Sequence, residues 1–237
     1  MSRTRAPVLA LGLAAALLVA GPRAAAAQGS DEPTEPYEQL MRAVRLESPQ
    51  DTLGNGALAA AMRTYEAGRF DEAIPMLQAF AGAYPRNLGL SEALETLLLI
   101  RGNREFQDEP LRIYVRAEAA RKVGHPDSAA AEAKQGLERY PGARIRDRWN
   151  YMLAELARDR GDHAAAIGYA MAVADTAAKS RLAPYALKLA AEETLTLGTE
   201  PVQALHLYLD LLERYPDSPL APDARARALE LRKRFQL

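Results

Sequence analysis

The chain has 237 residues, of which 49% are hydrophobic and 26% charged, and its mean hydropathy of −0.24 places it among soluble proteins with room for one large or two small domains. The formal charge is −1, and taking Arg3, Arg5 and Arg23 of the N-terminal stretch from the 30 basic residues leaves 27 against 31 acidic, so nucleic acid is not an expected partner. The absence of cysteine excludes disulfides, thiolate metal sites and a lipidated cysteine.

The first 27 residues read as a secretory signal peptide. Arg3 and Arg5 precede an apolar run from Val8 to Ala20, then Gly21-Pro22, and Ala25-Ala26-Ala27 supplies a small-residue cleavage pattern before Gln28. The run is shorter than the ~20 residues a spanning helix needs, so the mature chain is expected to carry no membrane span. That address predicts a periplasmic or secreted protein. Residues 28–50 read as a polar leader with one possible short helix from Pro36 to Leu46. Gly54-Asn55-Gly56 reads as a break before the repeat region, 51–237.

Beyond that break almost every segment has helical spacing, and no alternating β-branched run is long enough for a strand. The spacing predicts helices over 57–67, 70–83, 88–101, 109–123, 126–139, 145–160, 163–175, 181–197, 201–214 and 219–235. The fold class is therefore all-α, about five helical hairpins in an irregular superhelix. Ser218-Pro219 reads as the N-cap and first position of the last helix. The aromatic content is only 6%, and an alanine-rich chain must pack its helices closely and repeatedly to accumulate stability.

A repeat is visible in four turn glycines, each followed five or six residues later by alanine: Gly68 and Ala73, Gly124 and Ala129, Gly161 and Ala166, Gly198 and Ala204. Three units close on Tyr-Pro, at Pro85, Pro141 and Pro216, where proline pushes the preceding residue out of helical geometry. The stretch Tyr65-Glu-Ala-Gly-Arg-Phe-Asp-Glu-Ala-Ile74 with Tyr84-Pro85, and Arg160-Gly-Asp-His-Ala-Ala-Ala-Ile167, resemble the tetratricopeptide repeat. Leu212 to Ala224 resembles repeats of exported bacterial tetratricopeptide proteins, including the Tol-Pal-associated and outer-membrane-assembly types. The resemblance covers about residues 51–237. It implies an α-α superhelix acting as a non-catalytic scaffold for protein or peptide partners in the cell envelope, with a homo-oligomer or a groove for a wall fragment as alternatives. The first two units stand 56 residues apart, which places an extra helix around Ser91–Ile100 between them.

The candidate binding residues come from superposing two units. Tyr114, Glu118 and Arg121 recur 37 residues later as Tyr151, Glu155 and Arg158, on one helical face. In the tetratricopeptide family that phase faces the concave groove, and tyrosine and arginine are residue types that make hot spots. Lys122, Arg148 and Trp149 extend the patch in sequence. The competing reading is an inherited intrahelical Glu–Arg pair worth about 0.2–0.5 kcal/mol, with the tyrosines packed between layers.

Nothing in the sequence points to catalysis, a metal or a cofactor. The three histidines, His125, His163 and His206, lack a His-Glu-x-x-His spacing, and His163 reads as a ring standing where the first unit has Phe70. Asp108-Glu109 and Glu192-Glu193 read as solvated faces or first-turn carboxylates. The basic residues Arg225, Arg227, Arg232, Lys233 and Arg234 read as charges favoured near a helix C-terminus.

Overall fold

The computed structural model describes residues 49–237 apart from Ala178, Thr199 and Leu237. The expected signal peptide, the expected leader as far as residue 48 and the short helix expected at 36–46 lie outside the described residues, and residues 49 and 50, expected in the leader, open the first helix. Among the described residues ten α-helices follow one another: α1 (Pro49–Glu66), α2 (Phe70–Ala83), α3 (Leu90–Gly102), α4 (Glu109–Lys122), α5 (Pro126–Arg139), α6 (Arg146–Asp159), α7 (His163–Thr176), α8 (Ala183–Leu197), α9 (Pro201–Arg214) and α10 (Ala221–Phe235). A 3-10 turn, Phe106–Asp108, precedes α4. Neighbours pack in succession from α1 to α3 and again from α4 to α10, forming an irregular α-α superhelix.

The repeat residues explain the hairpins. Gly68, Gly124, Gly161 and Gly198 all have φ between +69° and +78°, the left-handed region where a side chain is strained. Ala73, Ala129, Ala166 and Ala204 are completely buried, so each hairpin closes at a point where only a methyl fits. Tyr84, Tyr140 and Tyr215 cap their helices, each donating its backbone N–H to a carbonyl of the last turn, while the prolines after them are exposed. Ala177 takes the same cap conformation without a following proline, so proline is dispensable there.

Two expectations about helix ends are corrected. Helix α1 runs straight through Gly54-Asn55-Gly56. The glycines do not break it because Gly54 is a packing seat: a Cβ there would lie 2.7 Å from Asn87 Nδ2 and 3.1 Å from the Tyr84 ring. Asn55 accepts a hydrogen bond from Asn87 Nδ2 at the same place. The last helix starts at Ala221 and not at Pro219, because Ser218 accepts the Leu220 N–H and its carbonyl accepts the Ala221 N–H, making a turn ahead of the helix. Pro222 then fills the early helical position.

The inserted helix α3 makes the array irregular. With a single helix between two hairpins, the turn at Gly68 lies against Arg112 in the first half of α4, and not against the Gly124 turn at its end. Arg112 also sits over the Phe70 ring, 5.8 Å from its centroid. Before α4 the backbone takes three consecutive positive φ values, at Phe106, Gln107 and Asp108. Asp108 is buried and gripped by Arg104 through Nε at 3.1 Å and Nη2 at 2.6 Å, so it is not the solvated acid expected from the sequence. Arg104 also reaches Asp71 at 2.6 Å, which ties this segment to α2.

Glu193 departs from expectation in the same way. It is buried on α8, and its Oε2 lies 2.6 Å from His163 Nδ1 at the start of α7. His163 is therefore a polar partner and not a substitute ring. Replacing His163 with phenylalanine, the residue of the first unit, should destabilise the fold by about 1–3 kcal/mol, because the buried carboxylate loses its partner. Adding Glu193→Leu should recover most of the loss. Urea midpoints of the single and double variants test this, and a His163→Phe chain as stable as the native one would refute it.

Two joined clusters make the core. One runs from Leu58 on α1 to Leu156 on α6 and the other from Ala154 on α6 to Leu231 on α10, so α6 serves both.

Candidate functional site

A groove of about 1200 Å³ is lined by α1, α3, α4, α6 and the start of α8, together with the α7–α8 and α9–α10 loops. A smaller pocket of about 380 Å³ adjoins it through Glu118, Lys122, Arg148 and Leu182, which line both. Of the nine residues singled out from the sequence, Tyr114, Glu118, Arg121, Lys122, Arg148, Tyr151 and Glu155 line the smaller pocket, joined by Met152 and Leu182, whereas Trp149 is completely buried in the core and extends no patch. Arg158 lies outside it, exposed and paired with Asp159 at 3.4 Å.

The two Tyr-Glu-Arg triplets interlock instead of closing on themselves. Glu118 accepts from the hydroxyls of Tyr114, at 2.7 Å on its own helix, and Tyr65, at 3.1 Å from α1. Arg121 of the first triplet donates to Glu155 of the second at 2.6 Å. The Glu–Arg pair thus joins α4 to α6 across consecutive units, and the intrahelical pair of the competing reading is not what the sequence repeat encodes. Lys122 donates to Glu66 of α1 at 3.0 Å, a contact that raises the lysine pKa. Arg148 lies over the Tyr114 ring, 5.9 Å from its centroid, and makes no ion pair with a described residue.

Burial, and after it the Glu118 charge, push the Tyr65 and Tyr114 hydroxyls above the ordinary phenol range. Both rings are almost completely covered. Tyr151 is only half-buried, and burial raises its pKa as well. It is the ring of this group best placed to meet an incoming side chain.

Sequence superposition missed several groove residues. Tyr65 stands three residues ahead of the first turn glycine, where the later units have Arg121 and Arg158, so no match of residue type selects it. Glu92, Glu95 and Leu98 come from the inserted helix, which has no counterpart to superpose. The α7–α8 and α9–α10 loops did leave a signal, since Ser180-Arg-Leu-Ala-Pro184 recurs as Ser218-Pro-Leu-Ala-Pro222. In each loop the serine hydroxyl accepts the N–H two residues on, and Ser180 also donates to Asp147 of α6. These turns set the edge of the groove at Leu182 and Ser218.

Among the described residues no group of three His, Cys, Asp or Glu side chains is placed to hold a metal. No helix among them is long and apolar enough to cross a membrane. No family model matches the chain, and no curated protein sequence matches it.

Proposed function

We propose that the chain is an exported, non-catalytic scaffold of the tetratricopeptide-like class whose groove holds a segment of a partner protein in the cell envelope. The observation that carries this reading is the convergence of seven sequence-selected residues from two successive units on one pocket opening into the larger groove. Arginine and tyrosine side chains in such a concave site supply rigid contacts at low entropy cost. Export rests on the N-terminal sequence, and the tetratricopeptide class on the repeat residues and their buried hairpin contacts.

The ionisable groups of the pocket argue for binding over catalysis. Glu118 is committed to two tyrosine hydroxyls, Glu155 to Arg121 and Lys122 to Glu66. The shifts at Tyr65, Tyr114 and Lys122 all run upward, away from the near-neutral values that general bases need.

A photo-crosslinking side chain at Tyr151, with a control at exposed Gln203 on α9, tests the reading in intact cells. One protein captured at position 151 alone is the expected result. Capture of the chain by itself would favour a self-associating scaffold, and capture of nothing at either position would count against a protein-binding groove. Soluble wall fragments that raise the melting temperature would instead point to a wall ligand.

A further inference from the structure

We infer that the groove accepts a bipolar amphipathic segment of a partner protein, its basic side chains against α3 and its acidic side chains against the α7–α8 loop. This rests on the peptide-binding reading above and specifies the occupant. Two sets of charges line the groove with no hydrogen bond or ion pair among the described residues, although Glu92 is near enough to Lys122 to be felt by it. Glu92 and Glu95 project from α3, and Lys179 and Arg181 from the loop. Of the other charged groups lining the groove, Lys122 pairs with Glu66, Arg214 with Asp210 and Glu118 with its tyrosines, Arg148 lies over the Tyr114 ring, and Asp217 stands on the α9–α10 loop.

Long flexible side chains of opposite sign pair readily when they can reach each other. No ion pair joins these two sets among the described residues, so each faces the groove as a separate pole. Glu92 lies in the first turn of α3, where the helix dipole favours a carboxylate, but Glu95 is a turn further on and gains nothing from it. Apolar surface accompanies the poles. Leu98 on α3 is 60% exposed and Tyr185 on α8 is 41% exposed, and both line the same cavity.

A polyanion such as nucleic acid would meet repulsion along α3, and a uniformly basic peptide would meet it along the loop. A segment with an apolar stripe flanked by one basic and one acidic edge satisfies all three features, and the poles also fix the direction in which it lies.

The test uses the full-length chain and three synthetic amphipathic helical peptides that share one leucine stripe. One has a lysine edge and a glutamate edge, one has lysine on both, and one has glutamate on both. Fluorescence anisotropy should show the bipolar peptide binding roughly tenfold more tightly than either control. The double variant E92K/E95K should transfer the preference to the all-glutamate peptide, and K179E/R181E to the all-lysine peptide. All four positions are exposed, so the variants should melt as the native chain does. Equal affinities, no binding by any peptide, or a preference that neither variant moves would overturn the assignment. If crosslinking at Tyr151 still returns one protein in those cases, the groove reading stands and only the bipolar occupant falls.

Discussion

Replacing Trp149 with alanine should destabilise the folded chain by about 3–5 kcal/mol, the range for emptying a large aromatic site in a close-packed core. Trp149 is completely buried on α6, and its indole rests against Gly136 of α5. Its Nε1 has no hydrogen-bond partner among the described residues, so removing it also relieves an unpaired buried donor. That places the expected loss near the lower end of the range. Gly136 provides the complementary test. A Cβ there would stand 2.6 Å from Cε2 and Cζ2 of the indole and 2.9 Å from Cδ2. Glycine to alanine within a helix ordinarily gains up to about 1 kcal/mol, whereas overpacking a rigid core costs about 1–3 kcal/mol. The ring is enclosed on all sides, so overpacking should prevail and Gly136→Ala should lower the urea midpoint. The single tryptophan of the chain reports the change directly, through its fluorescence. A Gly136→Ala chain with an unchanged or raised midpoint would show that the indole can move aside. The consequence reaches the groove, because Arg148 and Tyr151 flank this anchor on the same helix. A loosened α5–α6 joint should weaken partner capture at position 151 as well.

Raising the pH above about 10 should unfold the chain more steeply than exposed tyrosines would allow. Tyr65 and Tyr114 are buried and donate to one carboxylate, so ionising either would set an anion beside Glu118 in poorly solvated surroundings. Their folded pKa values are raised above the ordinary 10.0, and the unfolded chain therefore releases these protons first. Their contribution to stability is intact below pH about 10 and declines as pH rises beyond it. The decline is up to about 1.4 kcal/mol per pH unit for each residue until the folded values are reached. Urea unfolding at a series of alkaline pH values measures the slope, and Tyr65→Phe and Tyr114→Phe should each reduce it. A double phenylalanine variant with the native slope would exclude this cluster as the source. Phenolate absorbance gives an independent reading, since both groups should titrate only as the fold is lost.

Much of the architecture was legible because its determinants are local. A positive-φ glycine, a methyl-sized position five or six residues later and a terminal Tyr-Pro each act within one hairpin, and all four turns fell where those residues stand. Errors arose where a residue serves a distant neighbour or an irregular stretch of backbone. Gly54 looked like a helix breaker but makes room for the turn at Tyr84 and Asn87, and Asp108 and Glu193 looked solvated but answer Arg104 and His163. No local pattern marks these roles, because the partners of Gly54 and Glu193 lie about thirty residues away and the Arg104–Asp108 pair, though near in sequence, spans three consecutive positive-φ residues.

The pocket divides along the same line. The sequence by itself determined that Tyr114, Glu118 and Arg121 share a face with the same phase as Tyr151 and Glu155, since that follows from 3.6 residues per turn and a repeat of constant length. Only the tertiary structure decided that Arg121 pairs with Glu155 and not with Glu118, that Tyr65 crosses from α1 to Glu118, and that Arg158 points elsewhere. It alone made the inserted helix α3 a wall of the groove. These outcomes depend on how far one helix is shifted against the next, which is decided by packing between helices that no one segment encodes.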